Sequence, residues 1–243
     1  MKKVISIMVV LCVAAALFAT GTVKVGGAFD FVSGKTSNSE DEAFGSKSLY
    51  SGKGFGFDVS ARYDVADGLT SWADFNMTFG SNAKFKADGA NEWATLDDIA
   101  KQVEAMVGNA ATAKKSVMNM SGAAGVAIKL RAADDVEVAV GGGIFAERMT
   151  AKVSAAVPSN INSTFHDVAY TYRFVNFGVT GYADVAYKFT SNFGVGLTVM
   201  PRVGLLNFTT SSFAEDTTVE TYKAKGFALS FSMPISLGVS YAF

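Results

Sequence analysis

From Phe227 to Phe243 every second residue is large and apolar: Phe227, Leu229, Phe231, Met233, Ile235, Leu237, Val239, Tyr241 and Phe243. Between them stand Ala228, Ser230, Ser232, Pro234, Ser236, Gly238, Ser240 and Ala242. Successive side chains of a strand point to opposite sides, so this spacing predicts one greasy face and one small polar face. The run outlasts a soluble strand of about five or six residues. It reaches the roughly 9–11 residues that a tilted membrane strand needs.

The same period recurs upstream. Phe55, Phe57, Val59, Ala61, Tyr63 and Val65 alternate with Gly56, Asp58, Ser60, Arg62 and Asp64. Phe177, Val179, Gly181, Ala183, Val185, Tyr187 and Phe189 alternate with Gly178, Thr180, Tyr182, Asp184, Ala186 and Lys188. Shorter runs of the same kind cover Val126 to Arg131, Val136 to Val140 and Phe193 to Val199. Val23 to Phe31 and Leu69 to Phe79 fit less cleanly. Together these predict eight strands.

Short and long links alternate between them. Asp67-Gly68 is a favoured tight hairpin pair. Asp134-Asp135 and Ser191-Asn192 supply the other two short turns. Thr36 to Gly52, Ser81 to Met120, Thr150 to Tyr170 and Thr209 to Lys225 read as long loops. Outer-membrane barrels have short periplasmic turns and longer extracellular loops. The second long loop carries a helix signal. Thr95 and Asp98 form a capping-box-like pair, and Leu96, Ile99, Val103, Met106 and Val107 recur at helical spacing. Such a stripe predicts a helix packed over one rim of the barrel.

Which face is greasy decides between water and membrane. A soluble barrel of this size must hold its large apolar residues inside. Here the minor face carries Asp58, Arg62, Lys129, Arg131, Glu137, Asp184 and Lys188. Seven ionised groups in a dry core are very costly, so these are expected to pair in a polar lumen while Phe, Val and Leu face lipid. Closure satisfies every backbone donor and acceptor, which lipid cannot do. Tyr63, Tyr187 and Phe189 lie just before tight turns, where an aromatic girdle belongs. The expected fold is all-β: a closed antiparallel eight-stranded transmembrane β-barrel with a short helix in one long loop. The competing architecture is a periplasmic lipocalin-like barrel.

Composition sharpens this picture. Hydrophobic residues make up 49% of the 243, yet beyond the N-terminus no apolar run approaches the ~20 residues of a membrane helix. At the N-terminus Lys2 and Lys3 precede an apolar stretch from Val4 to Phe18, then the small Ala19. Residues 1–19 read as a cleaved signal peptide and 20–243 as the barrel domain. Cys12 is the only cysteine and falls within the leader, so the mature chain offers no disulfide and no cysteine metal site. The net charge of −1 argues against nucleic acid as a partner.

The alternating last strand and its end, Ser240-Tyr241-Ala242-Phe243, resemble those of the small eight-stranded outer-membrane barrels of the OmpA, OmpX and OmpW types. Tyr187-Lys188-Phe189-Thr190-Ser191-Asn192-Phe193 resembles their periplasmic hairpins. The resemblance implies a bacterial outer-membrane location. It also implies that Tyr241 and Phe243 form the signal read by the barrel-assembly machinery. Outer-membrane lipid and lipopolysaccharide-type glycolipid are then expected partners, with a ligand met at the cell surface.

Candidate chemistry is sparse. His166, beside Asp167 and near Ser163, is the only histidine and reads as a loop residue rather than part of a relay. Glu40-Asp41-Glu42 offers oxygen ligands suited to a hard cation, yet reads as a solvated loop tip. Gly141-Gly142-Gly143 lacks the Lys and Ser/Thr of a phosphate loop and suits close packing or a bend in the wall. Pro201 and Pro234 interrupt predicted strands and mark bulges or breaks. Their functional reading is a side opening for an apolar molecule. No catalytic residue, metal site or cofactor is assigned. An eight-stranded interior is filled by its own side chains, so a general porin is excluded. The leading expectation is a non-enzymatic outer-membrane barrel whose loops serve surface interaction or envelope integrity. The alternatives are a narrow channel or binding barrel for small hydrophobic molecules, as in the OmpW type, and an enzyme that modifies lipid A.

Overall fold

Edge by edge, the alternating segments pair until no free edge remains. The computed structural model describes residues 21–36, 49–86, 91–107, 112–155, 168–215 and 218–243; the expected signal peptide lies outside them. The strands are β1 (Gly21–Lys35), β2 (Leu49–Ala66), β3 (Leu69–Lys86), β4 (Ala94–Thr95), β5 (Lys114–Arg131), β6 (Val136–Ala155), β7 (Val168–Lys188), β8 (Phe193–Val199), β9 (Arg202–Glu215), β10 (Thr218–Ser232) and β11 (Ile235–Ala242). A helix, α1 (Leu96–Val107), follows β4. β8 and β9 share their neighbours and act as one stave, as do β10 and β11. With β1, β2, β3, β5, β6 and β7 this makes eight antiparallel staves, and the last returns to β1. The chain is a closed eight-stranded barrel.

The register sets its diameter. A walk from Val23 passes through Ala61, Ala73, Ala124, Ile144, Val179, Val203 and Phe231 and returns to β1 at Ser33, ten residues further on. With eight staves, that stagger corresponds to a strand tilt of about 40° and an interior filled by side chains. β5 and β6 approach closely where Gly125 faces Gly143: a Cβ on Gly125 would lie 2.1 Å from the Gly142 carbonyl oxygen. The Gly141–Gly143 run thus serves wall packing.

The greasy face points outward. Phe227 is 87% exposed, Phe55 72% and Ile144 70%. Val126, Ile128, Leu130, Val179, Val185, Leu237 and Val239 are exposed as well. The third strand changes face beyond Phe79. The β2–β3 register shifts between Lys53 and Phe55. Before the shift Phe79 faces out; after it Ala83 and Phe85 turn in.

Turns and loops differ in part from expectation. Gly68 adopts φ 72° in the Asp67-Gly68 turn, the left-handed region where glycine carries no Cβ penalty. The strands run well past the expected ends: β3 reaches Lys86, β5 begins at Lys114, β6 reaches Ala155 and β7 begins at Val168. The expected fourth loop, Thr209 to Lys225, is mostly β9 and β10, joined through residues 216–217. Its Ser and Thr positions keep the ladder but lack the apolar alternation by which the other strands are read.

Pro201 and Pro234 lie where two neighbouring staves are interrupted, at 200–201 and 233–234. The wall stays closed there. Gly181 N–H donates to the Pro201 carbonyl at 2.8 Å, Met200 N–H to that of Pro234 at 3.0 Å, and Met233 N–H to that of Phe31 at 2.9 Å. The Gly181 carbonyl accepts the Thr180 hydroxyl at 2.7 Å. In-and-out alternation continues through both breaks, with Met200, Arg202, Ser232, Pro234 and Ser236 all buried.

Candidate functional site: a layered lumen

Side chains on the inner face stack in layers along the axis. At the end with the short turns lies an ion-pair layer. The Arg62 guanidinium meets Glu137 at 2.9 Å and Asp184 at 3.2 Å. Lys24 reaches Asp184 at 3.4 Å, Ser236 at 3.3 Å and also Thr198. Lys188 pairs with Glu137 at 3.2 Å and Lys129 with Asp64 at 2.5 Å, nearer the mouth. A polar vestibule of about 150 Å³ opens here between Thr22, Arg62, Asp64, Lys129, Glu137 and Lys188.

Above it Trp72 stacks on Tyr182, with ring centroids 4.4 Å apart and planes at 11°. Next comes a layer rich in carboxyl groups. Arg202 approaches Asp74 at 3.5 Å, both side chains fully buried, and lies over the Phe145 ring at 5.4 Å. Asn119 donates to Asp30 at 2.5 Å and to Glu147 at 2.7 Å. Further along, the Tyr50 hydroxyl and the Asn207 amide both donate to Asn176 Oδ1, at 2.9 and 2.7 Å. Tyr50 also stacks on Phe174 at 4.1 Å.

The last layer is apolar and includes the helix. Leu96, Ala100 and Val103 of α1 are buried with Val32, Ala83, Val117, Ala151, Val153 and Phe174, all on the inner wall. The helix sits inside the mouth, not merely over its rim. Thr95 and Asp98 start it: the Asp98 carboxylate accepts from Thr95 N–H at 2.8 Å and from its hydroxyl at 2.7 Å, and Asp98 N–H donates to Thr95 Oγ1 at 3.2 Å. These bonds hold the Asp98 carboxyl below the usual range.

The residues expected in the lumen are thus placed as follows. Asp58, Arg62 and Asp184 are buried on the inner face, and Glu137 is nearly so. Lys129 and Lys188 line the vestibule. Arg131 lies outside the lumen: it is exposed and pairs with Asp134 at 3.2 Å in the turn, one step beyond the last covered position. Asp58 has no ion-pair partner among the described residues. Sequence reading missed Lys24, Asp30, Asp74, Glu147 and Arg202. A usable signal was present for three of them, since Val23 and Val25 flank Lys24, Phe29 and Phe31 flank Asp30, and Pro201 and Val203 flank Arg202. Tyr241 faces outward against Phe193 at 5.0 Å, and Phe243 joins Gly21 by backbone hydrogen bonds of 3.0 and 3.2 Å. His166 and Glu40-Asp41-Glu42 lie outside the described residues. No group of metal-ligating side chains converges among the described residues.

A charged interior inside an oily exterior, in eight staves staggered by ten, decides the class. The fold is that of the small outer-membrane β-barrels. A major outer membrane protein from Thermus thermophilus superposes with a TM-score of 0.54 at 16% identity, covering 89% of this chain and 99% of that one. The outer membrane protein OprG from Pseudomonas aeruginosa gives 0.45 at 9% identity, covering 93% and 96%. The attachment invasion locus protein Ail of Yersinia pestis gives 0.43 at 13% identity, covering 93% and 99%. No protein-family model and no curated protein matches the chain.

Proposed function

We propose that this protein is an exported, integral outer-membrane barrel that neither conducts solutes nor catalyses a reaction. Its turn end faces the periplasm. Its helix-bearing end faces outward, where the extended strands and their loops meet surface ligands or brace the envelope. The observation that carries this reading is the filled lumen. Ion pairs, stacked rings, a carboxyl-rich layer, an amide cluster and the α1 plug succeed one another along the axis. Water-filled porins leave this space open, whereas eight staves leave room only for side chains. Loops held on a rigid scaffold are where such proteins carry function. Tyr241 on the closing strand and Phe243 just beyond its end suit recognition by the barrel-assembly machinery.

The test is conductance. Folded protein in planar bilayers is expected to give no ohmic steps, with or without an apolar solute such as an alkane. Steps of constant size, or permeation of the apolar solute, would transfer the protein to the channel class.

A further inference from the structure

The outer wall carries a second feature that the lumen does not explain. On β5, β6 and β7, Lys114, Arg148, Lys152 and Arg173 all face outward and are exposed. Lys114 pairs with Ser154, Lys152 with Ser116 and Thr171, Arg173 with Thr150, and Arg148 with Val175. Lys152 is therefore the diagonal neighbour of both Lys114 and Arg173, and Arg173 is the diagonal neighbour of Arg148. Diagonal neighbours on one face lie within reach of long side chains, and like charges so placed repel. None of the four enters an ion pair among the described residues. The positions between them are the hydroxyls of Ser116, Thr150, Ser154 and Thr171.

Their level is specific. Along β6 the outward positions run Ile144, Ala146, Arg148, Thr150, Lys152; along β7 they run Val179, Phe177, Val175, Arg173. On these two strands the cations begin where the apolar run ends, and Arg148, opposite Val175 and four positions before Lys152, is the lowest of them. Lys35, Lys84 and Lys225 are also exposed and outward on other staves. Corrected for a tilt of about 40°, these three, Lys152 and Arg173 fall within about one residue step of a common height. No acidic residue among the described ones faces outward on a strand at that height. The opposite edge of the band has Tyr63, Tyr187, Phe193 and Tyr241 instead. There the cations Lys129, Arg131 and Lys188 pair with Asp64, Asp134 and Glu137.

We propose that Lys114, Arg148, Lys152 and Arg173 bind the phosphates of a phosphorylated glycolipid headgroup in the outer leaflet. Unpaired cations at the rim of the hydrocarbon meet lipid phosphates at their own depth. Long basic side chains keep their stems against acyl chains and their heads in the polar layer. Guanidinium groups engage phosphate through paired hydrogen bonds, and the hydroxyls of Ser116, Ser154 and Thr171 suit sugar and phosphate oxygens. Four cations call for more than one phosphate per lipid. A soluble polyanion would be met by charge at the loop tips rather than on a wall flanked by acyl chains. The proposal rests on the outer-membrane reading above.

The experiment is native mass spectrometry of the folded full-length mature barrel in detergent. It is titrated with bis-phosphorylated lipid A, dephosphorylated lipid A, phosphatidylglycerol and a soluble heparin fragment. Bis-phosphorylated lipid A is expected to be retained on the order of tenfold better than the other three. Lys152→Gln with Arg173→Gln is expected to remove that preference, whereas Arg131→Gln at the turn end leaves it intact. Heat-modifiable migration checks that each variant folds, and the wild-type preference stands as a test without them. Equal retention of phosphorylated and dephosphorylated lipid A overturns the proposal, and so does stronger binding of heparin. Membrane fractionation separates the two readings: a barrel in the outer membrane without lipid preference sinks only this one.

Discussion

Arg202 is fully buried against Asp74 and the face of Phe145. Taking one member from a buried pair leaves the other's desolvation uncompensated, whereas replacing both with apolar groups of similar size is often neutral. Arg202→Met alone is therefore expected to destabilise the barrel by about 3–5 kcal/mol. Combining it with Asp74→Leu is expected to recover most of that loss. Urea unfolding in lipid vesicles measures both, and a double variant no better than the single one would show the two groups to be uncoupled. At this scale the sequence was legible where a charge interrupts a clean alternation, as at Asp58, Arg62 and Asp184. It was illegible where an inner position is itself large and apolar. Phe145 faces inward beneath Arg202, so the run from Ile144 to Glu147 does not alternate visibly, and Glu147 went unread.

The helix can be tested through its first turn. Thr95→Ala removes a cap worth about 1 kcal/mol. The Asp98 carboxyl titrates below its ordinary value in the folded helix because Thr95 donates to it twice. A depressed folded value gives stability that is present above the unfolded value of ~3.9 and lost as pH falls through the folded one. The protection of α1 amides, taken relative to intrinsic exchange at the same pH, is thus expected to fall below about pH 4, and Asp98→Asn to flatten that dependence. An unchanged acid response in the variant would place its origin elsewhere. The helix itself was legible, from the Thr95–Asp98 pair and the stripe from Leu96 to Val103. Its seat inside the mouth was not, because an apolar stripe tells which face is covered but not by what. The strand extensions hid for a related reason. Beyond the apolar band, outward positions such as Thr150, Lys152, Thr210 and Ser212 have no oil to match, so the pattern that announces a strand disappears while the ladder goes on.

Over the whole molecule, two environments shape one sheet. The outward residues answer to lipid and read as a repeated signal, which is why closure and strand number could be inferred from sequence. The inward residues answer to one another across the axis, and such partners are far apart in the chain: Lys24 and Asp184, or Asp74 and Arg202. No local pattern records those meetings. One meeting of distant residues has a consequence of its own. Gly21 and Phe243 exchange backbone hydrogen bonds on neighbouring staves. Joining those residues by a short linker and opening the chain at Asp67-Gly68 would leave every rung in place. Such a circular permutant is expected to refold in detergent like its parent, by heat-modifiable migration. Inside a cell it would present Asp67 as its last residue, and should accumulate unassembled in the periplasm if Phe243 must be terminal to be recognised. Normal insertion of the permutant would mean that recognition reads the strand and not its tip.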